Sequence, residues 1–160
     1  MFTGQLIAIA VASNKQEPLQ SVAEIEAIAG RGLAGDRYAE GCGEFSRGEH
    51  KPDHEVTLVE QESLAAIARE YDLSLTHAES RRNLLTAGVP LNHLVGQTFQ
   101  IGDVQLRGLR LCEPCGYLEK LTQKPVKKAL QHRGGLRAQI IRGGVLRVGD
   151  EVRADRLTHS

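Results

Sequence analysis

The sequence predicts a mainly β, barrel-like fold, closed or nearly closed, with a few short helices on its rim. Three observations carry this. Short apolar runs of strand length recur along the chain, several with the period-two alternation of a half-buried strand. Seventeen glycines in 160 residues punctuate them, as tight turns between strands require. Helical periodicity is confined to a few stretches, so strands and turns dominate. At 160 residues, with 41% hydrophobic and 25% charged side chains, the chain reads as one globular domain, 1–160, able to bury its own core.

Taken in order, residues 5–12 form a short apolar run, a buried strand, and 14–18 a polar loop. Residues 21–29 alternate imperfectly and favour strand over helix. Gly30-Arg-Gly-Leu-Ala-Gly-Asp-Arg37 is a glycine-rich turn. Residues 40–54 are polar and almost free of apolar side chains, which predicts a mobile surface loop able to close over a site. Residues 55–59 make a short strand. Over 63–71, Leu64, Ile67, Ala68 and Tyr71 fall at i, i+3, i+4, i+7, the clearest helix. Arg81-Arg-Asn-Leu-Leu-Thr86 is a basic entry to another strand, and 90–96 a turn or one helical turn. Residues 98–101 and 104–111 form a hairpin across Gly102-Asp103. A broken helix spans 117–131, with Pro125 in the first turn of its second part, and His132-Arg-Gly-Gly135 stops it. Residues 136–141 and 145–148 predict a last hairpin across Arg142-Gly-Gly144, extended by 151–153.

The formal charge is zero but unevenly placed. Residues 101–147 carry ten Lys/Arg against three Asp/Glu, and residues 1–100 eight against fourteen. Either these are solvated faces of opposite sign, or the later segment faces an anionic ligand. Three cysteines are odd in number and too few for a secreted disulfide framework. No run approaches the roughly 20 apolar residues of a membrane span, and no signal-peptide pattern opens the chain. The expectation is a cytoplasmic protein with reduced thiols, with neither a membrane nor a nucleic acid as partner.

Cys112 and Cys115 lie three residues apart, where a strand gives way to a helix. Pro114 ends the strand ladder, and Gly116 lets the backbone turn. Cys112 reads as a buried strand cysteine. Cys115 reads as an exposed thiol near helix N–H groups, a place for a metal ligand or a nucleophile. A structural zinc site wants four ligands, and the partners on offer, Cys42, His50 and His54, lack knuckle spacing. A thioredoxin-like pair belongs early in a βαβ unit, not late in a β-rich chain. Gly30-x-Gly-x-x-Gly35 formally matches a dinucleotide fingerprint, but no βαβ unit follows it. It is either a tight turn or a cradle of N–H groups for an anion, with Arg37 adding charge. Arg81 and Arg82, adjacent at a strand entry, predict opposite faces, at least one inward and seeking an anionic partner. His132-Arg133-Gly-Gly is either a helix cap or a ligand contact.

Together these pieces resemble a known family. Gly32-Leu-Ala-Gly-Asp-Arg-Tyr38, Arg81-Arg-Asn83, Asn92-His-Leu-Val-Gly96, Pro114-Cys115, Arg133-Gly-Gly-Leu-Arg137 and Gly144-Val-Leu-Arg-Val-Gly-Asp150 occur in an order similar to that of MOSC domains. These are the C-terminal domains of molybdenum cofactor sulfurases, which also occur alone in small bacterial proteins. The resemblance covers roughly residues 5 to 153. It implies a β-barrel-like fold, and a Cys115 that ligates molybdenum or carries sulfur. Related domains in the mitochondrial amidoxime reducing component bind molybdopterin and reduce N-hydroxylated compounds. Arg81 and Asn83 match that family's Arg-x-Asn, where the arginine meets the cofactor phosphate. A family-level association with pyridoxal phosphate accompanies the resemblance.

The expected site therefore has Cys115 as metal ligand and reactive group, with Asp36 as proton donor or orienter. Arg37, Arg81, Asn83, Arg133, Gly32 and Gly35 would hold the molybdenum cofactor, and Arg37, Arg81, Asn83 and Cys115 would share one pocket. A small-molecule substrate and an external electron donor complete this first reading. The second is a sulfur carrier whose Cys115 persulfide is loaded by a sulfur donor, or a cofactor-delivery protein. The third is a β-barrel binding module without metal.

Overall fold

The structure, a computed structural model, describes residues 2–14, 17–39, 51–114, 119, 122 and 124–155. Its frame is a closed seven-stranded barrel built from β1 (Thr3–Val11), β5 (Val56–Glu60), β6 (Leu84–Ala87), β7 (Thr98–Ile101), β8 (Val104–Leu111), β9 (Leu136–Arg142) and β11 (Glu151–Ala154). Around the barrel the order is β11-β7-β8-β9-β5-β6-β1, and β1 closes back onto β11. The β5–β6 pair is parallel and the rest antiparallel. One edge of β1 serves two partners. Its first half pairs with β11 and its second half with β2 (Gln20–Val22), which hangs outside the ring. A second sheet runs β10 (Gly144–Arg147), β3 (Glu24–Ile28), β4 (Gly32–Leu33).

Closure leaves one interior, and one core fills it. Leu6, Ile9, Leu58, Leu84, Phe99, Ile101, Leu106 and Leu136 all point inward and are fully buried, and Ala27, Leu33 and Leu146 of the second sheet join them. A smaller cluster lies outside, where Ile67 of α1 (Gln61–Tyr71) meets Val126 and Ala129 of α3 (Val126–Ala129) and its C-cap Leu130.

Most expected elements are present near their predicted places. The 98–111 hairpin forms with Ile101 opposite Val104. The run over 21–29 is two strands, broken at Ala23, whose carbonyl accepts from Val148 N. The 90–96 stretch holds a 3₁₀ turn, Leu91–Leu94. Of the broken helix, the second part is present as α3, with Pro125 at its N-cap. Residues 115–118, 120, 121 and 123 lie outside the described residues, as do 40–50 of the expected mobile loop.

Two expectations are corrected. The last hairpin does not form: β8 lies along one edge of β9, β5 covers 136–138 of the other, and beyond β5 the Ile140 amide donates to Glu55 Oε1 while its carbonyl accepts from Gly30 N. The chain therefore leaves the barrel at Gly143, and β10 pairs with β3 instead, Leu146 opposite Ile25. β11 then returns to close the barrel rather than extend a hairpin. The arginine pair does not enter a strand either. It follows α2 (His77–Ser80), and Arg81 is that helix's left-handed C-cap at φ 59°. Strand alternation thus begins only at Leu84.

Candidate functional site

The pairings put the end of β1, the start of β6, the end of β8 and the start of β9 at one end of the barrel. Ile9 lies opposite Leu84, Leu84 beside Leu58, and Leu58 and Leu111 both opposite Leu136. The turn after β4 packs there too, where Arg37 N donates to the Ala12 carbonyl at 2.7 Å.

At the centre of that packing is Asp36, fully buried. Its Oδ1 accepts from Ala12 N at 3.1 Å, from an Arg37 guanidinium nitrogen at 3.1 Å and from Asn83 Nδ2 at 3.3 Å. Burial pushes the Asp36 carboxyl above its ordinary range, against the opposing pull of Arg37, the Ala12 and Tyr38 amides and Asn83. Asn83, also fully buried, uses both ends of its amide. Oδ1 accepts from Thr57 N and Oγ1 at 3.1 and 3.2 Å, while Nδ2 also donates to the Ala10 carbonyl at 3.1 Å. Arg37 donates its other terminal nitrogen to the Arg81 carbonyl at 3.2 Å and stacks 4.5 Å from the Tyr38 ring centre. Asp36, Arg37 and Asn83 are therefore brought together as a satisfied internal network, the condition under which burying such groups is tolerable.

The arginine that reaches inward is Arg82, not Arg81. It is buried and donates to three carbonyls: Nε to Gly134 at 2.7 Å, and its terminal nitrogens to Cys112 at 3.1 Å and Ser80 at 3.3 Å. This ties the β6 entry to the exit of β8 and the entry of β9. The Arg81 guanidinium lies outward and donates to the Glu17 carbonyl at 2.7 Å.

A second cluster surrounds Arg137 on β9. A β-bulge between Gly108 and Arg110 brings Arg110 opposite Arg137. Arg110 pairs with Asp53 at 2.8 Å, and the Asp53 carbonyl accepts from Arg137 at 3.2 Å. Burial would raise the Asp53 carboxyl, but Arg110, His54 and Arg137 outweigh it and hold it low. The buried His54 ring stacks on Tyr38, centroids 6.0 Å apart. Burial first, then Arg137, Lys51 and Arg110, pushes its imidazole below the ordinary value against the pull of Asp53. Arg137 is itself buried, and its Nε has no hydrogen-bond partner among the described residues. Burial would cost it its proton, but Cys112, Tyr38 and Asp53 hold it firmly charged. A buried cation with an orphaned donor is an electrostatic invitation to an anion. Cys112 is buried at 1% exposure; Cys115 lies outside the described residues.

Beside Pro114 a cavity of about 460 Å³ opens, lined by Glu113, Glu119, Lys127, Lys128 and Gln131 as well, within the roughly 300–1,000 Å³ usual for small-molecule sites. The other expected residues are distributed more widely. Arg133 makes a two-pronged pair with Glu70 at 3.1 and 3.3 Å and donates to the Ala129 carbonyl, which turns it toward α1. Gly32 packs where a Cβ would come within 2.8 Å of the Glu55 carbonyl. Gly35 sits at φ 79° with open space over its α-carbon. The amides of Ala34, Asp36, Arg37 and Tyr38 all donate within the protein, so this turn offers an anion few free N–H groups. Sequence reasoning expected at least one of Arg81 and Arg82 to point inward but chose Arg81 for the site, and it gave Arg137 and Tyr38 no role. The Arg-Arg-Asn triplet could have flagged Arg82 only if the helix cap before it had been read.

The sequence matches the family described as MOSC domain over residues 46–153. No curated protein matches it. Similar solved structures include the YuaD protein of Bacillus subtilis, 19% identical at a TM-score of 0.80, with 98% of this chain and 100% of that one covered. YiiM of Geobacillus stearothermophilus is 16% identical at 0.73, covering 96% of this chain and 75% of that one. YiiM of Escherichia coli is 18% identical at 0.67, covering 100% and 72%. At such identities these structures speak to the fold alone. The family match spans well over half of the residues, including Asn83, the Pro114-Cys115 step and Arg137, and on it the chain belongs to the MOSC domain family.

Proposed function

We propose that this MOSC domain binds the molybdenum cofactor at the barrel end described above, with the Cys115 thiolate as protein ligand to the metal. We further propose that it reduces N-hydroxylated small molecules with electrons from an external donor. The family is linked to molybdenum cofactor binding, and the residues fit such a group. A thiolate is a soft ligand suited to the metal. The cofactor's phosphate calls for cations; Lys127 and Lys128 line the cavity, and the buried Arg137, whose Nε is unpartnered among the described residues, lies on β9 outside that lining.

The observation that carries this reading is the cavity beside Pro114, the residue immediately before Cys115. When bound, the cofactor supplies the redox chemistry. The chain's own residues position and enclose. Arg82 fixes the Cys112 carbonyl and so anchors the segment leading to Cys115. Asp36, Arg37 and Asn83 lock the turn after β4 against β6. Arg37 and Arg133 could grip a phosphate directly only by exchanging Asp36 and Glu70 for it, whereas Arg81 is nearer solvent and Gly35 is open to close approach. Asp36, whose carboxyl burial raises against the pull of Arg37, is the titratable group of this network, one hydrogen bond from Asn83. Reducing an N–OH group to N–H releases water and consumes two electrons from the donor and two protons.

The test is chemical analysis of the protein purified from cells that make the cofactor. Molybdenum together with a fluorescent oxidised pterin supports the reading. Their absence, with an added sulfur on Cys115 by mass spectrometry, would transfer the assignment to a persulfide carrier.

A further inference from the structure

We propose that Arg137 and Arg110 form a binding site for a small carboxylate-bearing molecule, a site of its own, since neither arginine lines the cavity beside Pro114. Its centre is an arginine with incomplete bonding. Arg137 is buried at 9% exposure, and one terminal nitrogen donates to the Asp53 carbonyl at 3.2 Å. The Tyr38 hydroxyl is a further hydrogen-bonding neighbour of the guanidinium. Nε meets no acceptor among the described residues, so its desolvation goes uncompensated. The other two buried arginines are used more fully. Arg82 places Nε and both terminal nitrogens on carbonyls. Arg37 places its terminal nitrogens on the Asp36 carboxylate and the Arg81 carbonyl.

The charge at this place is incomplete as well. The β-bulge sets Arg110 directly opposite Arg137, and like charges so placed on neighbouring strands repel. Asp53 puts its carboxylate on Arg110 at 2.8 Å and its backbone carbonyl on Arg137. Two guanidiniums facing one carboxylate leave one positive charge over. Lys51 adds to that sign, and His54, which burial holds toward its neutral form, does not offset it. Glu55 is engaged with the Ile140 amide at 2.8 Å. One partner answers both deficits: a monoanion with two oxygens side by side. A guanidinium presents Nε and a terminal nitrogen along one edge, a fork that a carboxylate meets with two parallel bonds. Its single negative charge cancels the surplus, whereas a dianion overshoots it. Entry is from the Arg110 side, where the Arg110 and Asp53 side chains are 55% and 28% exposed. Arg110 is there the outer cation that draws an anion toward Arg137.

Arginine Nε–H NMR of the full chain, as purified from cofactor-producing cells, reads the site directly. The Arg137 signal is assigned through its bonds to the backbone, so the wild type alone can decide. Sodium acetate is the probe, at neutral pH, with sodium sulfate and sodium chloride as controls at equal ionic strength. Acetate is expected to move the Arg137 signal saturably and to leave that of the satisfied Arg82 in place. Sulfate and chloride should move the Arg137 signal at least about fivefold less. Arg110→Gln removes the outer cation and releases the Asp53 carboxylate to compete for Arg137, so acetate should bind it about fivefold or more weakly. An Arg137 signal that acetate leaves unmoved, or that chloride or sulfate moves as much, overturns the proposal. Unchanged acetate affinity in Arg110→Gln overturns it too. The cofactor reading is decided separately, by molybdenum content, so either can fail without the other.

Discussion

The Arg82 guanidinium holds the Cys112 carbonyl at 3.1 Å, across 30 residues of sequence. With the bond to Gly134 at 2.7 Å, it pins both chain segments that border the candidate pocket.

Removing that clamp should be costly. Arg82→Ala strands buried carbonyls and is expected to destabilise by about 2–4 kcal/mol in urea unfolding. Arg82→Lys should recover little, because a single ammonium cannot reproduce the guanidinium fork. Arg81→Ala, whose bond to Glu17 is exposed, should cost about 1 kcal/mol or less. A larger loss at Arg81 than at Arg82 would contradict this assignment of the pair.

That assignment shows where the sequence was legible and where it was not. Local periodicity is an intrinsic property of a segment, so the helix through Leu64 and Ile67 and the hairpin at Gly102-Asp103 could be read directly. Of the pocket expected to join Arg37, Arg81, Asn83 and Cys115, Arg37 and Asn83 do meet, through Asp36, while the Arg81 side chain turns outward to Glu17 and Cys115 lies outside the described residues. The final hairpin was misread because strand pairing depends on which edge groups remain free, and those of Ile140 are taken by the distant Glu55 and Gly30. The arginine pair was misread because α2 is only four residues long. Its one local signal is the Thr76–Glu79 capping box, and without it the arginines look like strand residues. Arg137 could not be picked out from other strand arginines, because its burial comes from loops far away in the chain.

Two aspartates should leave opposite signatures in the pH dependence of stability. Burial raises the Asp36 carboxyl above 3.8, so the folded state holds that proton more tightly than the unfolded chain does. Its contribution is greatest below 3.8 and is lost as pH rises through the folded value. Asp53 is lowered: burial opposes, but Arg110, His54 and Arg137 prevail. Its contribution is present above 3.8 and is lost as pH falls through the folded value. Urea unfolding of wild type, Asp36→Asn and Asp53→Asn across acidic pH reads both. The wild-type advantage over Asp36→Asn should shrink with rising pH, and that over Asp53→Asn should grow. Matching slopes would contradict the environments described.

The two cysteines of the Cys112-x-x-Cys115 stretch should differ in reactivity. Cys112 is buried at 1% exposure, with its carbonyl held by Arg82, so a reagent reaches it only when the barrel end opens. Brief alkylation of native protein at neutral pH, mapped by mass spectrometry, is expected to mark Cys115 and spare Cys112. In Arg82→Ala, Cys112 should become labelled as the segment loosens. Preferential labelling of Cys112 in the wild type would reverse the roles assigned to the pair.

The central claim is that this barrel end holds molybdenum through Cys115. Its most direct measurement is molybdenum per chain in protein from cofactor-producing cells, compared among wild type, Cys112→Ser and Cys115→Ser. The account predicts stoichiometric metal in wild type and in Cys112→Ser, and its loss in Cys115→Ser with the fold intact by circular dichroism. Metal retained at the wild-type level in Cys115→Ser, or absent from all three proteins, would contradict it.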